Sequence, residues 1–409
     1  MRRPGPYRLV IAPDKFKGSL SAPQVAAHLA RGLAEAVPGV RTDEVPVADG
    51  GDGTVDAAVA AGYRPIDVLV SGPTGEPVTA AFAIRGQVAV VEAAQACGLS
   101  RLPGGRFRPL TATSYGVGEL IAAAADAGAR HIVLGLGGSA TTDGGAGLIA
   151  ALGGRLLGAD GGPVASGGAA LAGLRGLDPT GLRDLSGVDV LLASDVDNPL
   201  LGPDGAAAIY GPQKGAAPED IPVLEEGLAR WADVAETALG EGLRDRPDAG
   251  AMSPSFRGWP GGAGARSPRV RQWAGAGAAG GLGFAALAFL GARMQPGIEV
   301  VLELVSFAER AAGASLVITG EGSLDAQTLR GKAPAGVARA TRAVSPGTPV
   351  VAVAGACSLD RAALEGAGIA AAYALADLEP DRSSSMVNAG PLLERLATRL
   401  AADWLPPRR

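Results

Sequence analysis

Histidine and cysteine are nearly missing from this chain, with two of each in 409 residues. His28 and His131 sit in helix- or strand-like contexts, and Cys97 and Cys357 in the apolar strings EAAQACGL and VAVAGAC. A disulfide framework, a zinc centre and a Ser-His-Asp mechanism are therefore left without material. Positive charge is also short. The formal net charge of −5 argues against a role on nucleic acid or an anionic membrane surface. No apolar stretch follows the basic residues of MRRPGPYRLVIAPD, so a cytoplasmic protein is expected. The longest apolar-looking run, residues 275–292, is laden with glycine and reads as a buried helix, not a membrane span. Aromatics are only 4% of the chain, so the core must be built from Ala, Val, Leu and Ile.

Lysine is the last scarcity. Of 36 basic residues only Lys15, Lys17, Lys214 and Lys332 are lysines, and all four fall in glycine-bearing stretches (APDKFKGS, GPQKGA, LRGKAP). Lysine is a compact point charge where arginine is a planar fork, so a tight site distinguishes them. At least two of the four are expected in a site.

Hydrophobic residues make up 47% of the chain, and its length suggests two domains. The first third alternates strand and helix: strands at 8–13, 41–49 and 63–72, helices at 21–37 and 53–62. Such alternation implies parallel strands with right-handed crossovers. PVTAAFAIRGQVAVVEAA (77–94) then reads as an antiparallel hairpin and marks a second domain. Alternation returns towards the carboxyl end. The fold expected is α/β: a parallel-sheet domain from residues 1–72 and 296–409, with a second α/β domain of mixed sheet, 73–295, inserted. Residues 244–272 read as a flexible insertion.

Three stretches carry chemistry. GLGGSATTDGGAG (135–147) follows a strand and precedes an apolar helix. Its glycines let backbone N–H groups face an anion, and Ser139, Thr141 and Thr142 add hydroxyls. Asp143 would cap the helix or reach a metal or a substrate hydroxyl. No Gly-Lys-Ser/Thr closes the loop, so it is not a Walker A motif. Acidic residues stand at the ends of three strands: Asp14, then Asp49 and Asp52, then Asp195 and Asp197. Ligands of open α/β sheets sit at those ends, and Mg²⁺ held by one or two carboxylates plus phosphate oxygens would reconcile the clusters. The third stretch, ITGEGSLDAQTLRGKAP (318–334), offers Glu321 as a second metal ligand and Lys332 as a contact for phosphate or a substrate carboxylate. Gly275, Gly277 and Gly280 match the dinucleotide pattern G-x-G-x-x-G. The preceding RVRQWA is a poor strand, which leaves a nicotinamide-dependent oxidoreductase of a small hydroxy acid as the alternative.

IAPDKFKGSLSA, VADGGDGT, GLGGSATTDGGAG, SDVDNPLLGPDGAA, GPQKGA, GAGAAGGLG and TGEGSLDAQTLRGKAP, in this order, closely resemble the type-1 (bacterial) glycerate kinase family. The resemblance spans residues 8 to about 357. It implies ATP-dependent phosphorylation of D-glycerate to 2-phospho-D-glycerate, with 3-phosphoglycerate as the alternative product. It also implies a flavodoxin-like domain paired with a restriction-endonuclease-like one. On that basis Gly137, Gly138, Ser139, Thr141 and Thr142 are expected to bind the ATP phosphates, and Asp195 with Glu321 the Mg²⁺. Lys15 or Lys17 would neutralise the transferred phosphoryl group. Asp195 or Asp197 would accept the glycerate proton, and Asp14, Asp52, Lys332 and Asn198 would bind substrate. The expected partners are small molecules, with no nucleic acid and no membrane, and a homodimer is left open.

Overall fold

The computed structural model describes residues 7–240, 269–330 and 332–406. The insertion expected at 244–272 lies outside the described residues up to 268. Beyond it, Val270–Gln272 is one turn of 3-10 helix. The chain divides into two compact units, Met1–Tyr63 with Pro296–Arg409, and Arg64–Gln295.

The sheet of the first unit has five strands in the order Ala371–Ala374, Val350–Cys357, Leu316–Leu324, Arg8–Pro13, Arg41–Glu44, all parallel. Renumbered within the unit this is the doubly wound order 2-1-3-4-5. Its switch point falls between Arg8–Pro13 and Leu316–Leu324. A strand buried on both faces reads as a continuous apolar run, and Leu9 to Ala12 are all fully buried. Alternate side chains feed two cores: Val10 and Ala12 join Ile298, Val301 and Val337, and Leu9 and Ile11 join Leu29, Leu33, Leu393 and Leu396. The helix Ala22–Ala36 begins with a capping box, in which the Ser21 side chain takes the Gln24 N–H and Gln24 returns the bond.

The second unit contains a six-stranded sheet in the order Arg293–Gln295, Asp189–Ala193, His131–Gly135, Val88–Glu92, Pro77–Arg85, Arg64–Ser71. The first four strands are parallel and Pro77–Arg85 runs opposite to both its neighbours, so the sheet is mixed. Residues 64–72, assigned on the sequence to the first domain, belong here. Arg64–Ser71 pairs along its whole length with Pro77–Arg85, closed by a turn in which Gly75 has φ +92° and the Gly72 N–H donates to the Glu76 carbonyl. Its alternation, with Ile66, Val68 and Val70 turned inward and Asp67 and Leu69 exposed, is that of an antiparallel strand with one covered face, which the strand–helix order of the first third masked. Among the described residues no helix is long and apolar enough to cross a membrane. Ala278–Phe289, within the 275–292 run, is a buried helix.

Candidate active-site residues

The glycine loop leaves the strand His131–Gly135 and enters the short helix Ala146–Ala151. Its first residues are pinned to the segment beside them: the Ala140 N–H donates to the Cys97 carbonyl (2.7 Å) and the Leu99 N–H to the Gly138 carbonyl (3.0 Å). Gly138, Gly144 and Gly145 all have positive φ, which only glycine adopts without strain. Ser139, Thr141, Thr142 and Asp143 are buried. Asp143 organises the far end by accepting from Ser114 N (2.8 Å), Ser114 Oγ (2.9 Å), Gly145 N (3.2 Å) and Gly147 N (3.3 Å). Burial raises its carboxyl above the usual range, and those donors oppose the shift. It anchors the loop to the segment at Ser114.

Two elements distant in sequence complete the loop. Trp231, stacked on Phe289, donates its indole N–H to the Gly144 carbonyl (2.9 Å). The segment 275–281 lies against the loop and against the strand end that follows Ala193. The Gly277 N–H donates to the Asn198 carbonyl, and the Gly144 N–H to the Gly280 carbonyl. A Cβ at Gly277 would stand 2.2 Å from the Pro199 carbonyl oxygen, and one at Gly280 1.9 Å from that of Thr141. These glycines therefore serve close backbone approach. Instead of a strand, a 3-10 turn and the residues after it precede them, so the dinucleotide reading lacks its structural context.

Beneath the loop lies Lys214, only 2% exposed. Its Nζ donates to the Thr141 carbonyl (2.6 Å) and the Ser139 hydroxyl (3.1 Å). Burial pulls its pKa down to about 8, against the opposing pull of Cys97 and Asp143. Burial pushes the Cys97 thiol up to about 12. The Thr142 hydroxyl is buried with no hydrogen-bond partner among the described residues.

The other carboxylates at this sheet's edge differ. Asp195 and Asp197 follow the strand Asp189–Ala193 and are exposed. The Asn198 side chain is engaged within its own loop, donating to the Asp204 carbonyl and accepting from the Tyr210 hydroxyl.

In the first unit, Asp14, Asp49 and Glu321 come together at the carboxyl end of the parallel sheet. Asp14 follows the strand Arg8–Pro13 at the switch point, and its N–H donates to the Gly320 carbonyl (2.8 Å). It is 6% exposed. Its Oδ1 accepts the Lys15 N–H (2.6 Å) and lies 3.6 Å from the Lys15 ammonium. Burial, opposed chiefly by Lys15 and reinforced by Asp49 and Glu321, pushes the Asp14 carboxyl up to about 7. Burial also raises Glu321, although the Thr328 hydroxyl donates to it and Lys332 attracts it. Asp52 contributes its carbonyl, which accepts from Lys15 Nζ, while its side chain is exposed. Lys17 is exposed. Lys332 stands half-buried at the N-cap of the helix Ala333–Val344.

Among the described residues no group of three or more His, Cys, Asp or Glu side chains is arranged to hold a metal ion. A magnesium ion does not need one, because it takes one or two carboxylates and fills the rest of its octahedron with phosphate oxygens and water. An exposed carboxylate such as Asp195 suits that donor set, and the hydrogen bond from the Thr328 hydroxyl to Glu321 is of the kind that orients metal-ligating carboxylates. Two features of the loop's packing were given no role on the sequence. Lys214 stood out by the scarcity of lysine and by its place in GPQKGA, and the contact of Gly280 with Thr141 left no local signal.

A sequence model of the glycerate kinase family matches residues 9–405. The chain is 43% identical over 400 residues to a glycerate kinase of Bacillus subtilis (strain 168), covering 97% of each protein. It is 40% identical over 372 residues to a glycerate 2-kinase of Escherichia coli (strain K12), covering 90% of each. A solved structure assigned as glycerate kinase 2 of Salmonella typhimurium LT2 superposes with a TM-score of 0.76 at 39% identity, covering 98% of this chain and 99% of that one. The chain belongs to the glycerate kinase family and is a kinase that transfers phosphate to an alcohol group.

Proposed function

We propose that the enzyme transfers the γ-phosphoryl group of ATP to the 2-hydroxyl of D-glycerate, giving 2-phospho-D-glycerate and ADP. The observation that carries this reading is the loop 137–145, a glycine-turned backbone with buried hydroxyls and a buried ammonium beneath it. Gly137, Gly138, Ser139, Thr141 and Thr142 form the cradle for the nucleotide phosphates. The E. coli relative named as a glycerate 2-kinase supports the 2-position.

Phosphoryl transfer asks for alignment and neutralised charge more than for covalent help. Asp14 is the proton acceptor for the glycerate hydroxyl. A base poised near the working pH is the most effective, and Asp14 is buried, about 7 in pKa and beside a lysine. Asp195 and Asp197, expected on the sequence to do this, are exposed. The Lys15 ammonium balances the negative charge at Asp14, and Lys332 holds the glycerate carboxylate. Asp195 would hold the magnesium ion of the nucleotide, which would supply charge neutralisation on the phosphates. Asp195→Asn should fold normally and raise the magnesium concentration needed for half-maximal rate by roughly tenfold. A magnesium titration of the variant checks this, and an unchanged midpoint would remove the assignment.

Coupling to enolase without a mutase tests the reaction itself. With D-glycerate, ATP and magnesium, prompt phosphoenolpyruvate is expected. ADP release without phosphoenolpyruvate would mean that the 3-hydroxyl is the acceptor. No glycerate-dependent ADP release would refute the kinase reading.

A further inference from the structure

We propose that Lys214 is the positioning residue of the phosphate loop: its buried ammonium fixes the Thr141–Thr142 peptide so that its N–H faces an incoming polyphosphate, and it supplies positive charge beneath the loop. This rests on the loop being the nucleotide-phosphate site.

The partners of Lys214 are a carbonyl and a hydroxyl, Thr141 O at 2.6 Å and Ser139 Oγ at 3.1 Å, not a carboxylate. An ammonium has three N–H donors, so two are used. Asp143, the acidic side chain that attracts it, is already held by four donors from Ser114, Gly145 and Gly147. A buried cation without a paired anion is costly, and its retention makes sense where an anion visits. The C=O and N–H of a trans peptide point in opposite directions. Drawing the Thr141 carbonyl down to Lys214 therefore turns the Thr142 N–H away from the ammonium. In the same loop the buried Thr142 hydroxyl lacks a partner among the described residues, a second polar group waiting for an acceptor or donor. Gly280, at φ +70°, closes the space: a Cβ there would be 2.8 Å from the Lys214 Nζ. That confinement suits a point donor and refuses a planar guanidinium, and it accounts for lysine in a chain whose other basic residues are almost all arginine.

The test uses the full chain with Lys214→Met, Lys214→Gln and Lys214→Arg, each checked for cooperative melting, and titrates tripolyphosphate and ADP calorimetrically beside steady-state kinetics. Lys214→Met should weaken tripolyphosphate and raise the ATP KM by roughly tenfold or more. The KM for D-glycerate should stay within about twofold, a split that a general loosening of the fold would not produce. Lys214→Gln keeps a donor without the charge and should show the same split, which covers the case that the methionine variant does not fold. Lys214→Arg should not restore affinity. Wild-type tripolyphosphate affinity in a folded Met or Gln variant would overturn the proposal while leaving the kinase reading standing. If wild-type protein binds tripolyphosphate through Lys214 but never turns over glycerate, the site stands and the kinase reading falls.

Discussion

Asp14→Asn is expected to melt at a higher temperature than the wild type at neutral pH while losing two to four orders of magnitude in turnover. The two effects share one origin. Burial holds the Asp14 carboxyl near 7, far above its ordinary 3.8. The unfolded chain gives up that proton at about its ordinary value and the folded chain keeps it, so between these two values stability falls as pH rises. At and above pH 7 the ionised group carries its full penalty, on the order of a few kcal/mol. Asparagine keeps the oxygen that accepts the Lys15 N–H but cannot ionise, so the penalty disappears. It also cannot accept the glycerate proton, a function worth about 10²–10⁴-fold. In the wild type, kcat/KM should fall below a pKa near 7, and that limb should vanish in the variant. Thermal melts from pH 4 to 8 and a pH–rate profile check both. A folded Asp14→Asn enzyme with ordinary turnover would place the base elsewhere.

Gly280→Ala should be strongly destabilising. Its Cβ would lie 1.9 Å from the Thr141 carbonyl oxygen and 2.8 Å from the Lys214 Nζ, on a backbone with φ +70°. The left-handed conformation alone costs about 1–2 kcal/mol for a residue with a side chain. Displacing the Thr141 carbonyl also breaks its bond to a buried ammonium, so a total near 3–5 kcal/mol is expected. Gly173→Ala is the control, since a Cβ there meets nothing within 4 Å. Denaturant melts of the two variants should differ by that amount. ATP affinity should fall in any Gly280→Ala protein that folds, and stability and affinity near wild type would contradict the packing described.

How much of this was legible in the sequence depended on the range of the interaction. A strand such as RLVIAP was readable because it is apolar enough to be buried on both faces, whereas the edge strand RTDE is polar and stops at Glu44, short of the expected residue 49. The glycine loop was readable as a tight strand-to-helix connection because the Gly/Ser/Thr run directly follows a buried strand. Asp14 and Glu321 were legible as strand-end carboxylates. Their burial was not, because the same motif geometry carries the exposed Asp195 and Asp197. Burial depends on what packs above the strand end. Lys214 and Gly280 reach the loop from 73 and from well over a hundred residues away, and pattern reading along the chain has no access to such pairings. The misplaced strand 64–71 failed for a related reason, since its apolar pattern does not say which neighbour it will join.

Hydrogen exchange followed by mass spectrometry on the intact enzyme, with and without magnesium and ADP, tests the account at its centre. Nucleotide should slow exchange in peptides covering 137–147, and Lys214→Met should abolish that protection at the same nucleotide concentration. Strong protection elsewhere in the chain with none at 137–147 would show that this loop does not hold the phosphates.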